Sequence, residues 1–370
     1  IEMQESFDKL KPLLEEMISI YNKYPDELKT MGIHSYKYMG TILADSDNPE
    51  ESIKLFKEAL KIKREMGNED DQESFQINFT IAMGYNKMDE LDKAIETFNE
   101  SINIKNKLIA RANPSEEDLG ALYMELGKCY EKLADIYLMK EEHNKCLENI
   151  NQARENYLKT DAPLLLANVY STSASACYFL NQYDKSIEYA KKYIKLIETA
   201  DDLSLNLIES SREVTEINKY KMFKTIAESY KKLDQDVKCK KYCSICMNII
   251  QNTQSDESNE KIFMLLEFGR LNFLSNNYES ALKNYDEIMD IIKQSPDQVE
   301  GGDLLIFDCL YKKADIHIIL ENWNEAKTLL ESILKSMDED RIELPDDKHD
   351  EILKKYTNVS IKIKYLSELK

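Results

Sequence analysis

The chain has 370 residues, and its nine Gly and seven Pro fall well below the roughly 12% combined average, too few turn-formers for a sheet-rich protein. Hydrophobic residues at 42% beside charged residues at 32% exclude a disordered tail, and no apolar run approaches the roughly 18 residues of a bilayer span. A net charge of −20 disfavours nucleic acid and anionic lipid as partners and leaves a basic or neutral peptide as the easier one.

At the amino end, Phe7, Leu10, Leu13, Leu14, Met17, Ile18 and Tyr21 form one helical stripe, so residues 1–32 are expected to hold a terminal helix. Glu2, Glu5, Asp8, Glu15 and Glu16 stand where a secretory leader would be basic and then apolar. From residue 33 a pattern repeats. Gly40 lies in Ser35-Tyr-Lys-Tyr-Met-Gly-Thr-Ile-Leu43, and twelve residues later Ser52 opens a second apolar-periodic segment that includes Phe56 and Ala59. The same spacing recurs in Ala82 and Ala94, Ala134 and Cys146, Ala174 and Ser186, Ala227 and Cys239, Gly269 and Ala281, and Ala314 and Ala326. Three residues after each first small residue comes a mostly aromatic or polar one, such as Tyr85, Tyr137, Tyr230, Asn272 or His317. Two antiparallel helices cross closely only where small side chains meet, with bulky residues a turn away filling the space beside them. Polar turns separate the paired segments at Asp47-Asn48-Pro49, Met88-Asp89-Glu90, Asn181-Gln182-Tyr183, Asn276-Asn277-Tyr278 and Glu321-Asn322-Trp323.

This pattern resembles the tetratricopeptide repeat, a helix-turn-helix unit. The resemblance implies an all-α, right-handed superhelical solenoid of about seven helix hairpins over residues 33–337, and a non-enzymatic scaffold or adaptor that binds other proteins. The second small residues stand at 52, 94, 146, 186, 239, 281 and 326, farther apart than the minimal 34-residue repeat, so the resemblance is to the long-repeat type with its subfamily open. Segments 66–73, 111–118, 199–216, 252–259, 295–303 and 338–350 read as inter-repeat connections. In the widest, Leu203, Leu205, Leu207, Ile208 and Val214 suggest an extra turn of helix. Residues 338–370 are expected to be a connection and a capping helix with the stripe Ile352, Leu353, Tyr356, Val359, Ile363 and Leu366.

Cys239, Cys243 and Cys246 have the spacing with which three thiolates hold an iron-sulfur cluster in radical enzymes. Here all three take the close-packing positions of a repeat's second helix, where free cysteine serves as a small hydrophobe, so no metal or other cofactor is expected. Gly127-Lys128-Cys129 lacks the upstream glycine and the hydroxyl residue of a phosphate loop, and His34, His143, His317 and His349 lack zinc-ligand spacing. The acidic run from Asp338 to Glu343 lacks the central glycine of a calcium loop. No catalytic residue emerges, and the expectation is a chain without enzymatic activity. Seven cysteines, an odd number in a long chain, suit a reducing, cytoplasmic setting better than a disulfide framework.

The first helices of such a solenoid line its concave groove, where a peptide or helix of a partner protein docks. The Lys and Asn pair with which chaperone-binding repeats clamp a terminal carboxylate is missing from every repeat; the corresponding pairs are, for example, Glu131 and Asp135, or Leu266 and Arg270. The expected groove residues are Phe79, Met83, Asn168, Thr172, Ser175, Lys221, Lys224, Phe263, Leu266, Arg270 and Phe273, a mixture of amides, hydroxyls, cations and apolar side chains suited to a peptide. Two alternatives stand beside this one. A peptide-gated regulator would resemble the pheromone receptors with such repeats, and an acidic adaptor would take a basic partner such as a histone tail or a cytoskeletal assembly.

Overall fold

The apolar periodicity resolves into sixteen α-helices and one short 3-10 turn among the described residues. A computed structural model describes residues 2–45, 48–111, 116–160, 162–199, 212–252, 258–294, 299, 301–338 and 346–368. The chain divides into two compact units, Ile1–Ser210 and Ser211–Lys370.

The first unit holds α1 (Glu2–Lys23), α2 (Lys29–Asp45), α3 (Pro49–Glu65), α4 (Gln72–Lys87), α5 (Leu91–Arg111), α6 (Glu116–Met139), α7 (His143–Tyr157), α8 (Leu166–Phe179) and α9 (Tyr183–Thr199). The second holds α10 (Arg212–Lys232), α11 (Asp236–Asn252), α12 (Ser258–Leu274), α13 (Tyr278–Gln294), α14 (Gly302–Ile319), α15 (Trp323–Asp338) and α16 (Asp346–Glu368). Both units are helical-repeat solenoids. From α2 onward, successive helices pair as α2 with α3 through α8 with α9, and as α10 with α11 through α14 with α15, which gives the seven expected hairpins. The helix breaks fall at the polar turns of the sequence. Local caps set the helix starts: the Asn48 side chain accepts from the Glu51 N–H with Pro49 in the first turn, and Asp71 accepts from the Ser74 N–H at 2.8 Å.

The crossing points are the small-residue pairs. Ser52 Oγ donates to the Gly40 carbonyl at 2.7 Å, and Ser186 Oγ donates to the Ala174 carbonyl at 2.8 Å, so in two hairpins the crossing is also hydrogen-bonded. At Gly269 a Cβ would lie 2.6 Å from Cε1 of Tyr285, which sits directly against the glycine backbone. Around these crossings Phe98, Leu133, Ile150, Tyr157 and Tyr193 form the buried interior of the first unit, and Ile226, Tyr285, Ile288 and Leu330 that of the second. Each such large side chain contributes about 1.5–3 kcal/mol by leaving water. At the ends, Leu14 and Tyr21 of α1 are buried, and Ile352 and Val359 of α16 close the core formed by Ala326, Leu330 and Ile333.

Every described hairpin turn uses one backbone device. Asp89, Glu141, Asn181, Asp234, Asn276 and Glu321 each lie seven residues after the first small residue, and all have φ between 56 and 62°. The next residue's N–H then bonds to the carbonyl five back, as in Glu142 to Tyr137 at 2.8 Å and Asn322 to His317 at 2.8 Å, which satisfies the helix end and reverses the chain. In the first hairpin the corresponding position, Asp47, lies outside the described residues, as do Leu203, Leu205, Leu207 and Ile208; Val214 falls in α10.

Candidate functional site: the first-helix faces

The eleven expected groove residues divide between the units. In the first unit the first helices of successive hairpins bond to one another along the face they share. Lys37 on α2 pairs with Glu73 on α4 at 2.5 Å, and Gln72 on α4 donates to Glu125 on α6 at 3.0 Å. Asn168 on α8 donates to Glu131 on α6 at 3.1 Å, and Thr172 donates to Asp135 at 3.5 Å. Glu131 is buried and also accepts from the Tyr157 hydroxyl at 2.6 Å. Burial pushes its carboxyl above the ordinary value, and the bonds from Tyr157 and Asn168 only partly reverse this. Two expected groove residues are therefore engaged between repeats. Ser175 donates to the Ser171 carbonyl at 3.3 Å. Phe79 is half-buried edge-on to Phe98, ring centroids 5.5 Å apart, and Met83 packs against the same core.

In the second unit the face centres on a carboxylate. Glu267 on α12 is buried and accepts from Lys224 on α10 at 2.8 Å, from Arg270 at 2.7 Å and from the Tyr220 hydroxyl. Burial alone would raise its carboxyl, and these bonds more than offset that, so it titrates below the ordinary range. Lys224 and Arg270 are thus already paired. Lys221 is exposed with no ion-pair partner among the described residues. Leu266 and Phe273 are half-buried against the α12 and α13 core, whereas Phe263 is 62% exposed. In the last hairpin the equivalent positions are covered by α16: Lys355 donates to Tyr311 and to Asp315, each at 2.6 Å, and Tyr311 donates to Glu351. Bonds from Lys348 and Tyr311 bring the Glu351 carboxyl down to about 2.

Sequence reasoning did not single out the acceptor at the centre of this face. Glu267 is the lone carboxylate in the apolar stretch from Phe263 to Phe268, and that isolation is the signal that could have marked it as a buried hub.

Cys239, Cys243 and Cys246 line the inner side of α11 with no exposed surface. Cys239 and Cys243 place their sulfurs 3.9 Å apart, and burial pushes the Cys246 thiol up to about 12, far from a thiolate ligand. Among the described residues no three or more His, Cys, Asp or Glu side chains are grouped to hold a metal ion. No helix among them is long and apolar enough to cross a membrane.

Tandem antiparallel hairpins with small residues at a fixed register, joined through their first helices, define an α-helical repeat protein. Tetratricopeptide-repeat family models match residues 5–107 and residues 167–199. Residues 5–107 and 167–199 are thus tetratricopeptide-repeat segments. Solved structures of the same fold include a signal-transduction ATPase with a tetratricopeptide-repeat sensor from Pyrococcus horikoshii, 16% identical with a TM-score of 0.53, covering 91% of this chain and 47% of that one. A tetratricopeptide-repeat protein from Parabacteroides merdae is 8% identical with a TM-score of 0.51, covering 88% and 99%. The apo form of the quorum sensor NprR from B. thuringiensis is 14% identical with a TM-score of 0.51, covering 90% and 84%. No curated protein sequence matches the chain.

Proposed function

We propose that the chain is a non-enzymatic interaction scaffold that holds a peptide or a helix of a partner protein against the first-helix faces of its repeats. The observation that carries this is Phe263, 62% exposed on α12 beside the half-buried Leu266 and Phe273. Together the three form an apolar strip on the face that repeat solenoids offer to partners, which suits the apolar side of a docked peptide or helix. All seven thiols are buried in the helix interiors, where a substrate does not reach them, in keeping with a binding role. Free buried cysteines also suit a reducing, cytoplasmic setting.

Hydrogen exchange of the chain with and without an affinity-captured partner tests the proposal. Slowed exchange in α10 or α12, lost in Phe263→Ser, supports it. A bound partner that protects none of the first helices sinks it.

Likeness to the quorum sensor over 90% of this chain favours a second reading, a regulator gated by a short free peptide. Small-angle scattering separates the two, since gating changes the overall dimensions on peptide binding and a passive scaffold does not.

A further inference from the structure

Across α10 and α11, residues 212–252, one arginine and eight lysines stand against five carboxylates, Glu213, Glu216, Glu228, Asp234 and Asp236, in a chain of net charge −20. This hairpin is a basic island in an acidic protein. Along the first-helix face of α10, Lys221, Lys224, Glu228 and Lys232 follow at one-turn intervals. Lys224 is held by Glu267, while Lys221 and Lys232 are exposed and have no ion-pair partner among the described residues. The bonds from Lys224 and Tyr220 to Glu267 fix α10 against α12, so the cations of one helix lie next to Phe263, Leu266 and Phe273 of the other.

We propose that this face takes an acidic amphipathic segment of a partner protein, its carboxylates over Lys221 and Lys232 and its apolar side chains on Phe263 and its neighbours. The proposal rests on the scaffold reading and narrows it, assigning the partner a charge opposite to the one the net charge of the chain suggests. Local charge decides because the Debye length is about 8 Å at physiological salt, so distant carboxylates are screened and contacting lysines are not. A nucleic acid fits less well. Its evenly spaced phosphates would meet Glu228 between the lysines, and the apolar strip on α12 would gain nothing from a sugar-phosphate backbone.

Fluorescence anisotropy on the full chain tests this with three labelled probes: a sixteen-residue helical peptide with leucines on one face and glutamates along its flank, the same peptide with lysines for the glutamates, and oligouridine. The acidic peptide is expected to bind most tightly, to weaken with added salt, and to lose roughly tenfold in affinity to Lys221→Glu with Lys232→Glu, both exposed positions whose change spares the core. An acidic peptide that does not bind, or binds equally well to the double variant, overturns the proposal. So does oligouridine binding that depends on the same lysines. Tighter binding of the basic peptide, lost in Phe263→Ser, overturns the acidic partner while keeping the scaffold reading, and failure of both peptides together with unprotected first helices overturns both.

Discussion

Three helix-interior glycines meet three different environments, which makes them a graded test of the close-packing explanation. A Cβ on Gly120 would meet nothing within 4 Å, so Gly120→Ala collects the helix-propensity gain of about 1 kcal/mol. On Gly40 the Cβ would lie 3.2 Å from the Phe56 ring, a few tenths of an ångström inside ordinary contact, and the ring's small retreat offsets the gain to near zero. On Gly269 it would lie 2.6 Å from Cε1 and 2.8 Å from Cζ of Tyr285, a ring only 1% exposed. That ring has to move by roughly 1 Å to reach normal carbon separation, in a core where overpacking costs about 1–3 kcal/mol. Set against the propensity gain, Gly269→Ala is expected to lose up to about 2 kcal/mol. Urea unfolding followed by far-UV circular dichroism reads the series as midpoint shifts of order 0.5 M per kcal/mol. In a Tyr285→Ile background, which copies the Ala134 and Ile150 combination of the third hairpin, the same Gly269→Ala change should cease to be unfavourable. If Gly269→Ala proves as stable as Gly120→Ala in the native background, close approach at the crossing is not what the glycine provides.

Glu141 and Glu321 hold left-handed backbone that a glutamate adopts at a cost of about 1 kcal/mol, so Glu321→Gly should raise the urea midpoint of the second unit, and an unchanged or lower midpoint counts against the turn assignment. Glu131 and Glu267 should respond to pH in opposite directions. The Glu267 carboxyl is lowered by folding, so its contribution is complete above the ordinary glutamate range and fades as pH falls through its folded value; Glu267→Gln therefore costs about 1–2 kcal/mol at pH 7 and much less near pH 3. The Glu131 carboxyl is raised, so it favours folding fully only when protonated, below the ordinary range, and that benefit is lost as pH rises through the folded value; Glu131→Gln should stabilise at pH 7 and be neutral near pH 4, as paired melts at the two pH values would show. All seven cysteines are buried and free, so the native chain should show no thiol accessible to a disulfide-exchange reagent until it unfolds, and rapid labelling of any of the three on α11 would contradict their place in the core.

Much of the fold was readable because it rests on short-range constraints. Small residues twelve apart, such as Gly40 and Ser52 or Ala174 and Ser186, mark a crossing between adjacent helices, and the two serines bond to the very carbonyls their spacing places opposite. The turns were readable as polar pairs, yet their shared left-handed residue was not. Asp89, Asn181, Asp234 and Asn276 are residue types that accept this conformation, but Glu141 and Glu321 are not distinctive there, and only the backbone shows that all six occupy one register. The widest expected connection, residues 199–216, contains the boundary between the two compact units.

The candidate site was less readable because most of its polar residues are settled by partners 37 to 47 positions away, a distance that depends on how one repeat stacks on the next. Asn168 reaches Glu131, and Lys224 and Tyr220 reach Glu267. A residue on a first-helix face can serve the neighbouring repeat as readily as a ligand, and the sequence does not say which. Sidedness on a helix follows from a period of 3.6, whereas neutralisation of a charge requires knowing what lies on the next helix. Lys224 and Arg270 would each count as a free cation in the sequence, yet both converge on one buried carboxylate, and Lys221, a single residue outside that cluster in the same expected set, remains exposed. Substituting Lys224 or Arg270 removes a structural pair along with any contact to a partner, so a loss of binding there cannot be assigned to recognition. Phe263 and Lys221 lie outside that network, and the energetics of binding on this face are most cleanly separated from the energetics of folding at such positions.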